Sequence, residues 1–237
     1  MRFANQVALV TGGTGGLGRA VSLALLAEGA KVTVTYIIPE EFAALREAAG
    51  SKSDALQGEH IDVTDEAAAR KLVDEITNKH GHLDALVNTV GGYAGGIKLW
   101  EVDDKTFDKM LALNVRAGFI MARAVVPTML KQKRGAIVNI AAKAAFDHAA
   151  GASAYASSKA AALAMMDSLA EDLRGSGVRV NSILPSIIDT EANRKAMPGA
   201  AFDKWPKPED IAKVILFLLS DEAKVVHGAA IPVYGPL

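Results

Sequence analysis

The segment that most constrains this chain is a strand-like apolar run followed at once by a glycine-rich turn. The run is Val7 to Val10, and the turn is Thr11-Gly12-Gly13-Thr14-Gly15-Gly16-Leu17-Gly18. β-Branched residues without polar alternation are typical of a strand buried on both faces, and glycines let the backbone turn sharply and approach a ligand closely. A helix over residues 17–27 and a strand over residues 31–36 complete a strand-helix-strand unit, which predicts a parallel sheet.

The same alternation continues to the end of the chain and predicts seven strands. The further strands are expected at residues 54–60, 83–88, 135–141, 178–184 and 229–233. Helical patterns occupy residues 40–49, 66–79, 103–131, 153–174 and 209–220, and Pro127 is expected to kink or end the longest helix. We therefore expect residues 1–237 to form one α/β domain, a Rossmann fold whose doubly wound, seven-stranded parallel sheet has helices on both faces.

Composition limits the partners that this chain can have. Its 26 Lys and Arg nearly balance its 27 Asp and Glu, and no basic stripe appears, which argues against nucleic acid or an anionic membrane as a partner. The longest apolar runs, such as residues 214–219, are far shorter than the roughly 18 residues of a membrane span. Cysteine is absent, no secretory signal precedes the first strand, and the five histidines lack the spacing of a metal site. These features predict a cytoplasmic protein with a small-molecule ligand and no metal.

Residues that follow the predicted strands are candidates for the ligand site, because ligands in open parallel sheets bind at the carboxyl ends of the strands. These residues are 11–18, 62, 88–96, 141–143 and 185–190. The glycine-rich turn leads into a helix, whose free N–H groups and positive dipole end favour phosphates. The pattern predicts a single cleft that binds a dinucleotide.

Tyr155 and Lys159 stand four residues apart in the predicted helix over residues 153–174, so they share one face of it. A nearby ammonium favours the ionised phenol, and we therefore expect Lys159 to lower the pKa of Tyr155. A tyrosine tuned in this way acts as a general acid or base near neutral pH. The spacing alone is also compatible with an exposed helical pair.

With these motifs in order, the chain resembles the short-chain dehydrogenase/reductase family along essentially its whole length. The matching motifs are the glycine loop, Asp62-Val63, Asn88-Thr89-Val90-Gly91, Asn114, Tyr155-x-x-x-Lys159 and residues 185–190. The resemblance implies an NAD(P)-dependent oxidoreductase with Tyr155, Lys159 and Asn114 as catalytic residues, Asn114 holding a water in a proton relay with Lys159. It also implies that the cofactor is bound by Gly12, Thr14, Gly15, Gly16, Leu17, Gly18, Tyr36, Asp62, Val63, Asn88, Gly91, Tyr155, Lys159, Pro185, Ile188 and Thr190.

The chain departs from the family at Ala142, thirteen residues before Tyr155, where the family usually has a serine that steadies the substrate oxygen. Loss of one such donor typically costs about 10²- to 10³-fold in rate. Three hypotheses follow. The substrate does not need this hydroxyl, or the protein is a ketone or 3-oxoacyl reductase with an impaired site, or it is a nucleotide-binding relative without turnover.

Three separated segments resemble the dihydropteridine reductases, a branch that also has alanine at the serine position. They are residues 91–96, 142–147 and 193–208. This resemblance implies hydride transfer to a quinonoid dihydropterin, a planar C=N system whose basic nitrogen needs only a proton donor such as Tyr155. The strand that ends at Tyr36 does not share the resemblance, because an acid usually follows it in that branch.

The choice between NAD and NADP is open in the sequence. An acid after the second strand binds the ribose 2′-hydroxyl and a base accepts a 2′-phosphate, but Tyr36 and Ile37 supply neither. Gly15 stands where many NADP-dependent relatives have arginine.

The substrate is expected to contact Tyr93, Ala142, Lys143 and His148. Tyr93 lies in a glycine-rich loop and suits stacking on a flat ring, with a packed loop anchor as the alternative. Residues 190–207 are expected to form a substrate lid, because loops of this length in compact domains are usually functional. The helices over residues 103–131 and 153–174 resemble those through which the family forms homodimers and homotetramers.

Overall fold

A computed structural model describes residues 1–235 of the chain and contains one seven-stranded parallel sheet. The order of the strands is β3-β2-β1-β4-β5-β6-β7, and every neighbouring pair is parallel. The prediction of seven strands in a parallel sheet is confirmed. The strands are β1 Val7–Thr11, β2 Lys31–Tyr36, β3 Leu56–His60, β4 Ala85–Asn88, β5 Gly135–Ile140, β6 Val178–Pro185 and β7 Ala230–Val233.

Helices cover both faces of the sheet, as the doubly wound fold requires. Side chains of successive strand residues alternate between two apolar layers. One layer includes Val10 and Val87 and meets the helices at residues 16–27 and 208–219, and the other includes Leu9 and Leu86. The helices are α1 Gly16–Ala27, α2 Pro39–Ala49, α3 Glu66–His80, α4 Asp104–Leu111, α5 Ala117–Gln132, α6 Ser153–Asp172, α7 Glu191–Ala196 and α8 Pro208–Leu219.

The longest predicted helix is interrupted at a different point from the one expected. Pro127 lies inside α5 and does not end it, whereas a π-helical turn, Ala112–Arg116, joins α4 to α5. π-Turns of this kind often occur at functional sites, because the extra residue changes the direction of a side chain. The buried residue of this turn is Asn114.

The continuous helical run Asp104–Gln132 is long and apolar enough, by length and composition, to cross a membrane. Its residues Ile120, Met121 and Val125 are buried in the core layer beside α3. A core helix of a globular domain passes the same test of length and composition, so this run is weak evidence for a membrane span.

The order of the strands creates a crevice at the carboxyl edge of the sheet. The chain builds outward from β1 to β2 and β3, and then returns to place β4 on the other side of β1. The connections after β1 and β4 therefore diverge to opposite faces, and the gap between them is where ligands bind in folds of this type.

At the opposite edge of the sheet, Asp84 ties β1 and β4 to the connection before β5. One carboxylate oxygen accepts hydrogen bonds from the Val7 backbone N–H at 2.8 Å and from His82 Nδ1 at 2.8 Å. The other oxygen lies 2.9 Å from the Arg134 guanidinium. Only 7% of Asp84 is exposed, so these partners replace most of its hydration.

We expect Asp84→Ala to lower the free energy of unfolding by about 2–4 kcal/mol, because a buried N–H and an arginine lose a charged acceptor. Urea denaturation measures this change. Asp74→Ala, on the exposed face of α3, is the matched control and should change stability by less than about 0.5 kcal/mol. Equal effects of the two substitutions would show that Asp84 does not tie these segments together.

Candidate active site

The turn after β1 depends on glycine at several positions, of which Gly12 and Gly18 lie in direct contact. Gly12 has a φ of +61°, a conformation that side chains disfavour. A Cβ on Gly18 would overlap the Gly12 carbonyl oxygen and lie 2.7 Å from Thr89 Oγ1. Thr89 closes the contact from β4, donating its hydroxyl to the Thr11 carbonyl at 2.5 Å and to the Gly12 carbonyl at 3.2 Å. Thr89 belongs to the motif that follows β4, but its sequence position alone does not predict this hydrogen-bonding role.

The first turn of α1 is open towards the crevice. No side chain caps the helix at Gly15, so its first N–H groups face outward without a side-chain acceptor. A Cβ on Gly15 would meet only the Gly12 carbonyl oxygen, at an ordinary 3.6 Å, whereas one on Gly16 would lie 2.6 Å from the Thr190 methyl group. Leu17 turns into the core. A side-chain-free cradle at an uncapped helix N-terminus fits a dinucleotide pyrophosphate.

Tyr36 closes β2 beside this cradle and is held between two rings. It stacks on Phe42 with ring centroids 4.7 Å apart and on His60 at 5.4 Å. After β3, the Asp62 carboxylate accepts hydrogen bonds from the Thr64 N–H and hydroxyl at 2.8 and 2.7 Å, and Val63 is buried in the core. Asp62 and Val63 lie at the carboxyl edge of the sheet as predicted, and the cofactor contacts that the family resemblance implies for Tyr36, Asp62 and Val63 stay a prediction.

Asn88 ends β4 and is buried next to Asn139 of β5, its partner in the sheet register. Neither the amide nitrogen nor the oxygen of the Asn88 side chain has a hydrogen-bond partner within residues 1–235. Buried amides are almost always satisfied, so these atoms need water or a ligand. The cofactor contact that the family resemblance implies for Asn88 stays a prediction.

Asn114 is held by a network of hydrogen bonds that was not predicted from the sequence. Its side-chain oxygen accepts the Gly92 N–H at 2.9 Å, and its amide donates to the Gly92 carbonyl at 3.0 Å and to Ser158 Oγ at 2.9 Å. Ser158 in turn donates to the Tyr155 carbonyl at 2.7 Å. The π-turn before α5 and the start of α6 are thereby joined under the site.

Lys159 is buried, and its ammonium donates to the Ile140 carbonyl at 2.9 Å. A Cβ on Gly91 would stand 3.2 Å from Lys159 Nζ and 2.9 Å from Asn114 Oδ1, so both atoms border the same small space. The absence of a side chain at Gly91 keeps this space open. A water there would have the polar partners that buried waters require, which agrees with the relay expected for Asn114 and Lys159.

The expectation that Lys159 lowers the pKa of Tyr155 is wrong for this structure. Burial and the neighbouring Tyr93 phenol raise the pKa of Tyr155 to about 12, and burial lowers the pKa of Lys159 to about 8. The reason is that the Lys159 ammonium is directed to the Ile140 carbonyl rather than to the phenol. Tyr155 is therefore a neutral proton donor in the protein without ligands.

The residues expected to contact substrate lie on two loops, one after β4 and one after β5. The Tyr93 ring makes an edge-to-face contact with Tyr155, with centroids 4.9 Å apart, and remains 72% exposed. Ala142 is buried at the end of β5, and only a methyl group stands there. Lys143 pairs with Asp147 at 3.0 Å, and His148 Nε2 lies 3.2 Å from the Ala145 carbonyl, so both make contacts within their own loop.

Residues 190–207 are more ordered than the loop expected from sequence. Thr190 caps α7 by accepting the Asn193 N–H at 3.2 Å, and its methyl group packs on Gly16. Before it, Pro185 ends β6 and Ile188 packs against the core. Arg194 binds the Asp189 carboxylate through two nitrogens at 2.5 and 2.8 Å. The segment begins directly over the cradle, which suits a cover for a bound ligand.

Comparison with known proteins decides the family. The sequence profile described as short chain dehydrogenase matches residues 6–200. The chain belongs to the short-chain dehydrogenase family. It is 32% identical to a 3-oxoacyl-acyl-carrier-protein reductase of Thermotoga maritima over 100% of this chain and 99% of that protein. It is 33% identical to the meso-2,3-butanediol dehydrogenase of Serratia marcescens over 99% and 95% of the two chains.

Solved structures agree with this assignment. A short-chain type dehydrogenase/reductase from Mycobacterium ulcerans superimposes with a TM-score of 0.93 at 31% identity, covering 99% of this chain and 90% of that one. ElxO with NADP bound gives a TM-score of 0.92 at 26% identity, with 97% of each chain covered. The chain is therefore an NAD(P)-dependent oxidoreductase, as predicted. The finer resemblance to dihydropteridine reductases stays a prediction.

Within residues 1–235, no three histidine, aspartate or glutamate side chains are grouped closely enough to hold a metal ion. The chemistry that these residues can perform themselves is proton transfer at Tyr155, supported by Lys159 and Asn114.

We expect Gly18→Ala to weaken nucleotide binding by more than about tenfold and to cost about 1–3 kcal/mol of stability, because the methyl group overlaps the Gly12 carbonyl. Isothermal titration with NADH and NADPH measures the affinity. Thermal unfolding confirms that the variant is folded. An affinity unchanged from that of the wild type would contradict the role of Gly18 in the cradle.

We expect Lys159→Met to abolish turnover and yet to gain stability relative to the wild type at pH 7. The folded protein holds the Lys159 pKa near 8, below the value of about 10.4 in unfolded chains, so the unfolded state binds more protons between these pH values. The penalty of burying the ammonium is therefore complete below pH 8 and disappears as the pH rises through 10.4.

Urea denaturation of the two proteins at pH 7 and pH 10.5 checks this. The stability difference should move by about 3 kcal/mol in favour of the wild type at the higher pH. Lys131→Met, on the exposed side of α5, controls for the loss of one positive charge. A stability difference that does not change with pH would mean that Lys159 carries no burial penalty.

Proposed function

We propose that this enzyme transfers a hydride between a nicotinamide cofactor and a planar, conjugated C=O or C=N substrate, with Tyr155 as the proton donor. The observation that carries the proposal is the neutral Tyr155 phenol held against the edge of the Tyr93 ring, with only a methyl group at Ala142. The bound cofactor supplies the hydride. Everything else in the reaction is positioning and proton transfer by the side chains around the crevice.

Tyr155 suits the role of donor because it is protonated before the substrate arrives. A pKa of about 12 leaves the phenol neutral throughout the physiological range, ready to donate as negative charge develops on the substrate. Lys159, with a pKa near 8, is mostly charged at pH 7 and can stabilise the phenolate that donation leaves behind once it is released from the Ile140 carbonyl. Asn114 borders the same space and would restore the proton through a water.

Ala142 favours substrates whose charge is already spread over a conjugated system. A ketone oxygen concentrates negative charge in the transition state and gains most from a hydroxyl donor. An imine nitrogen or a quinone-like oxygen delocalises charge or is more basic, so that proton donation by Tyr155 alone suffices. Quinonoid dihydropterin is the representative of this class that the sequence resemblance supports.

Tyr93 favours a flat substrate for a geometric reason. Its ring is largely exposed, and its hydroxyl lies over Gly95, where a Cβ would clash with it. An aromatic ring above the proton donor offers a face or an edge to a planar ligand. Lys143 and His148 border the same opening, and we propose that they limit its outer side. We propose also that residues 190–207 act as the lid.

A second candidate is the reduction of 3-oxoacyl thioesters or simple ketones. The relatives support it, because a 3-oxoacyl-acyl-carrier-protein reductase and a butanediol dehydrogenase match the whole chain. In that case a water or backbone group would take the place of the missing serine hydroxyl. A cofactor-binding protein without turnover is the remaining alternative, and Ala142 is its only support.

We expect the purified enzyme to reduce quinonoid dihydropterin or a quinone at least tenfold faster than an aliphatic ketone or a 3-oxoacyl thioester, as measured by NADH or NADPH oxidation. Tyr155→Phe should lower the rate by about 10²- to 10⁴-fold, because the proton donor is lost while the ring remains. Thermal unfolding of the variant is the control that it remains folded.

Ala142→Ser separates the two candidates. If the missing hydroxyl selects the substrate, this substitution should raise ketone reduction by more than about tenfold and leave dihydropterin reduction nearly unchanged. A fast wild-type reaction with 3-oxoacyl thioesters would favour the second candidate. Tight cofactor binding without turnover of either class would leave only the non-catalytic alternative.

The cytoplasmic location and the homodimer or homotetramer stay predictions. A groove of about 480 Å³ between α5 and α6 is lined by apolar residues, among them Phe119, Val126, Met165 and Leu169. It lies on the two helices that we predicted from the family resemblance to join subunits, and we propose this face as the subunit contact.

A further inference from the structure

Glu41 reaches from α2 into the cofactor crevice, although it lies outside every motif of the sequence. Its carboxylate Oε2 accepts a hydrogen bond from Thr14 Oγ1 at 2.8 Å, inside the glycine loop. Thr14 is only 8% exposed. The other carboxylate oxygen, Oε1, has no hydrogen-bond partner within residues 1–235. An acceptor with a free oxygen therefore stands at the rim of the cradle.

The position of Glu41 is fixed by its neighbour Phe42. The Phe42 ring lies flat on Tyr36, with an interplanar angle of 4°, and a Cβ on Gly58 of β3 would clash with it. This stacking seats the first turn of α2 against the ends of β2 and β3. From this position the Glu41 carboxylate reaches Thr14 in the glycine loop.

In dinucleotide-binding folds an acidic residue about 20 residues after the glycine loop, near the end of β2, accepts a hydrogen bond from the 2′-hydroxyl of the adenosine ribose. Tyr36 ends β2 here and is no acid. The carboxylate that the strand lacks is supplied instead from α2. Gly15 and Ile37, which stand where a positively charged side chain would accept a 2′-phosphate, carry no charge.

We propose that Glu41 is the residue that selects the cofactor and that it makes the enzyme prefer NAD(H) to NADP(H). Its free oxygen accepts the ribose 2′-hydroxyl, while a 2′-phosphate, which carries close to two negative charges near neutral pH, meets a carboxylate already held in place by Thr14. The inference rests on the cofactor crevice of the proposed function, but it concerns binding alone and is independent of the substrate.

Equilibrium binding of NADH and NADPH by isothermal titration tests the inference without any turnover. The wild type should bind NADH at least about tenfold more tightly than NADPH. Glu41→Gln keeps the acceptor for Thr14 but removes the charge, and it should reduce this ratio by about tenfold or more, chiefly through tighter NADPH binding. Thr14→Val, which frees the carboxylate to move away, should reduce the ratio partially.

Glu40→Gln is the matched control, because it removes one charge from the same turn of α2 without a contact to the loop. It should change the ratio by less than about threefold. Thermal unfolding of each variant confirms that it is folded. Equal or tighter binding of NADPH by the wild type, or equal effects of the Glu40 and Glu41 substitutions, would overturn the inference. Failure of the folded wild type to bind either nucleotide would overturn the crevice itself, whereas tight NADH binding without turnover would contradict only the proposed reaction.

Discussion

The crevice depends on a single close approach of backbone to backbone, between the Gly12 carbonyl oxygen and the α-carbon of Gly18. A side chain at position 18 would occupy the space of this contact. The Thr89 hydroxyl, just after β4, holds the turn in place through its hydrogen bonds to the Thr11 and Gly12 carbonyls. Because Thr89 continues into Gly91 and Tyr93, the same contact fixes where the substrate loop leaves the sheet. The glycine loop and the loop after β4 are thus held together by main-chain atoms and the short Thr89 side chain. Long side chains would lose more entropy when they are ordered.

The buried polar groups of the candidate active site lower the stability of the folded protein. Lys159 is buried with one hydrogen bond, and the Asn88 side chain has none within the residues that the structure describes. Buried polar groups of this kind are unfavourable unless a partner arrives, and bound cofactor or water is the partner that they lack. Asn114 shows the opposite solution, since a π-turn directs its amide into bonds with Gly92 and Ser158. Asn114 therefore has its hydrogen-bond partners before a ligand binds, whereas Lys159 and Asn88, whose contacts must change on binding, lack some of theirs.

The sequence predicted most of the fold because its signals were local and repeated. Continuous apolar runs separated by helical periods specify buried parallel strands, and all seven were placed within a few residues of their observed bounds. The features that it missed depend on tertiary contacts. Pro127 was expected to break the long helix, but it stays inside α5, and the interruption occurs at Ala112–Arg116, which contains neither proline nor glycine. Glu41 carries no motif at all, because its role arises only when Phe42 stacks on Tyr36 and brings α2 to the loop.

The protonation state of Tyr155 determines whether this residue can donate a proton or accept one. The tyrosine-lysine spacing suggested a lowered pKa, but a shared helix face does not ensure that the ammonium points at the phenol, and here it points at the Ile140 carbonyl. Burial and Tyr93 then favour the neutral phenol, so the resting protein holds a proton donor and no base. Donation during reduction needs no prior ionisation. Oxidation needs the phenolate, and Tyr155 can ionise near neutral pH only when a positive charge approaches it, such as the oxidised nicotinamide or a Lys159 released from its carbonyl. We therefore expect ligand binding, and not the tyrosine-lysine pair alone, to set the protonation state of Tyr155.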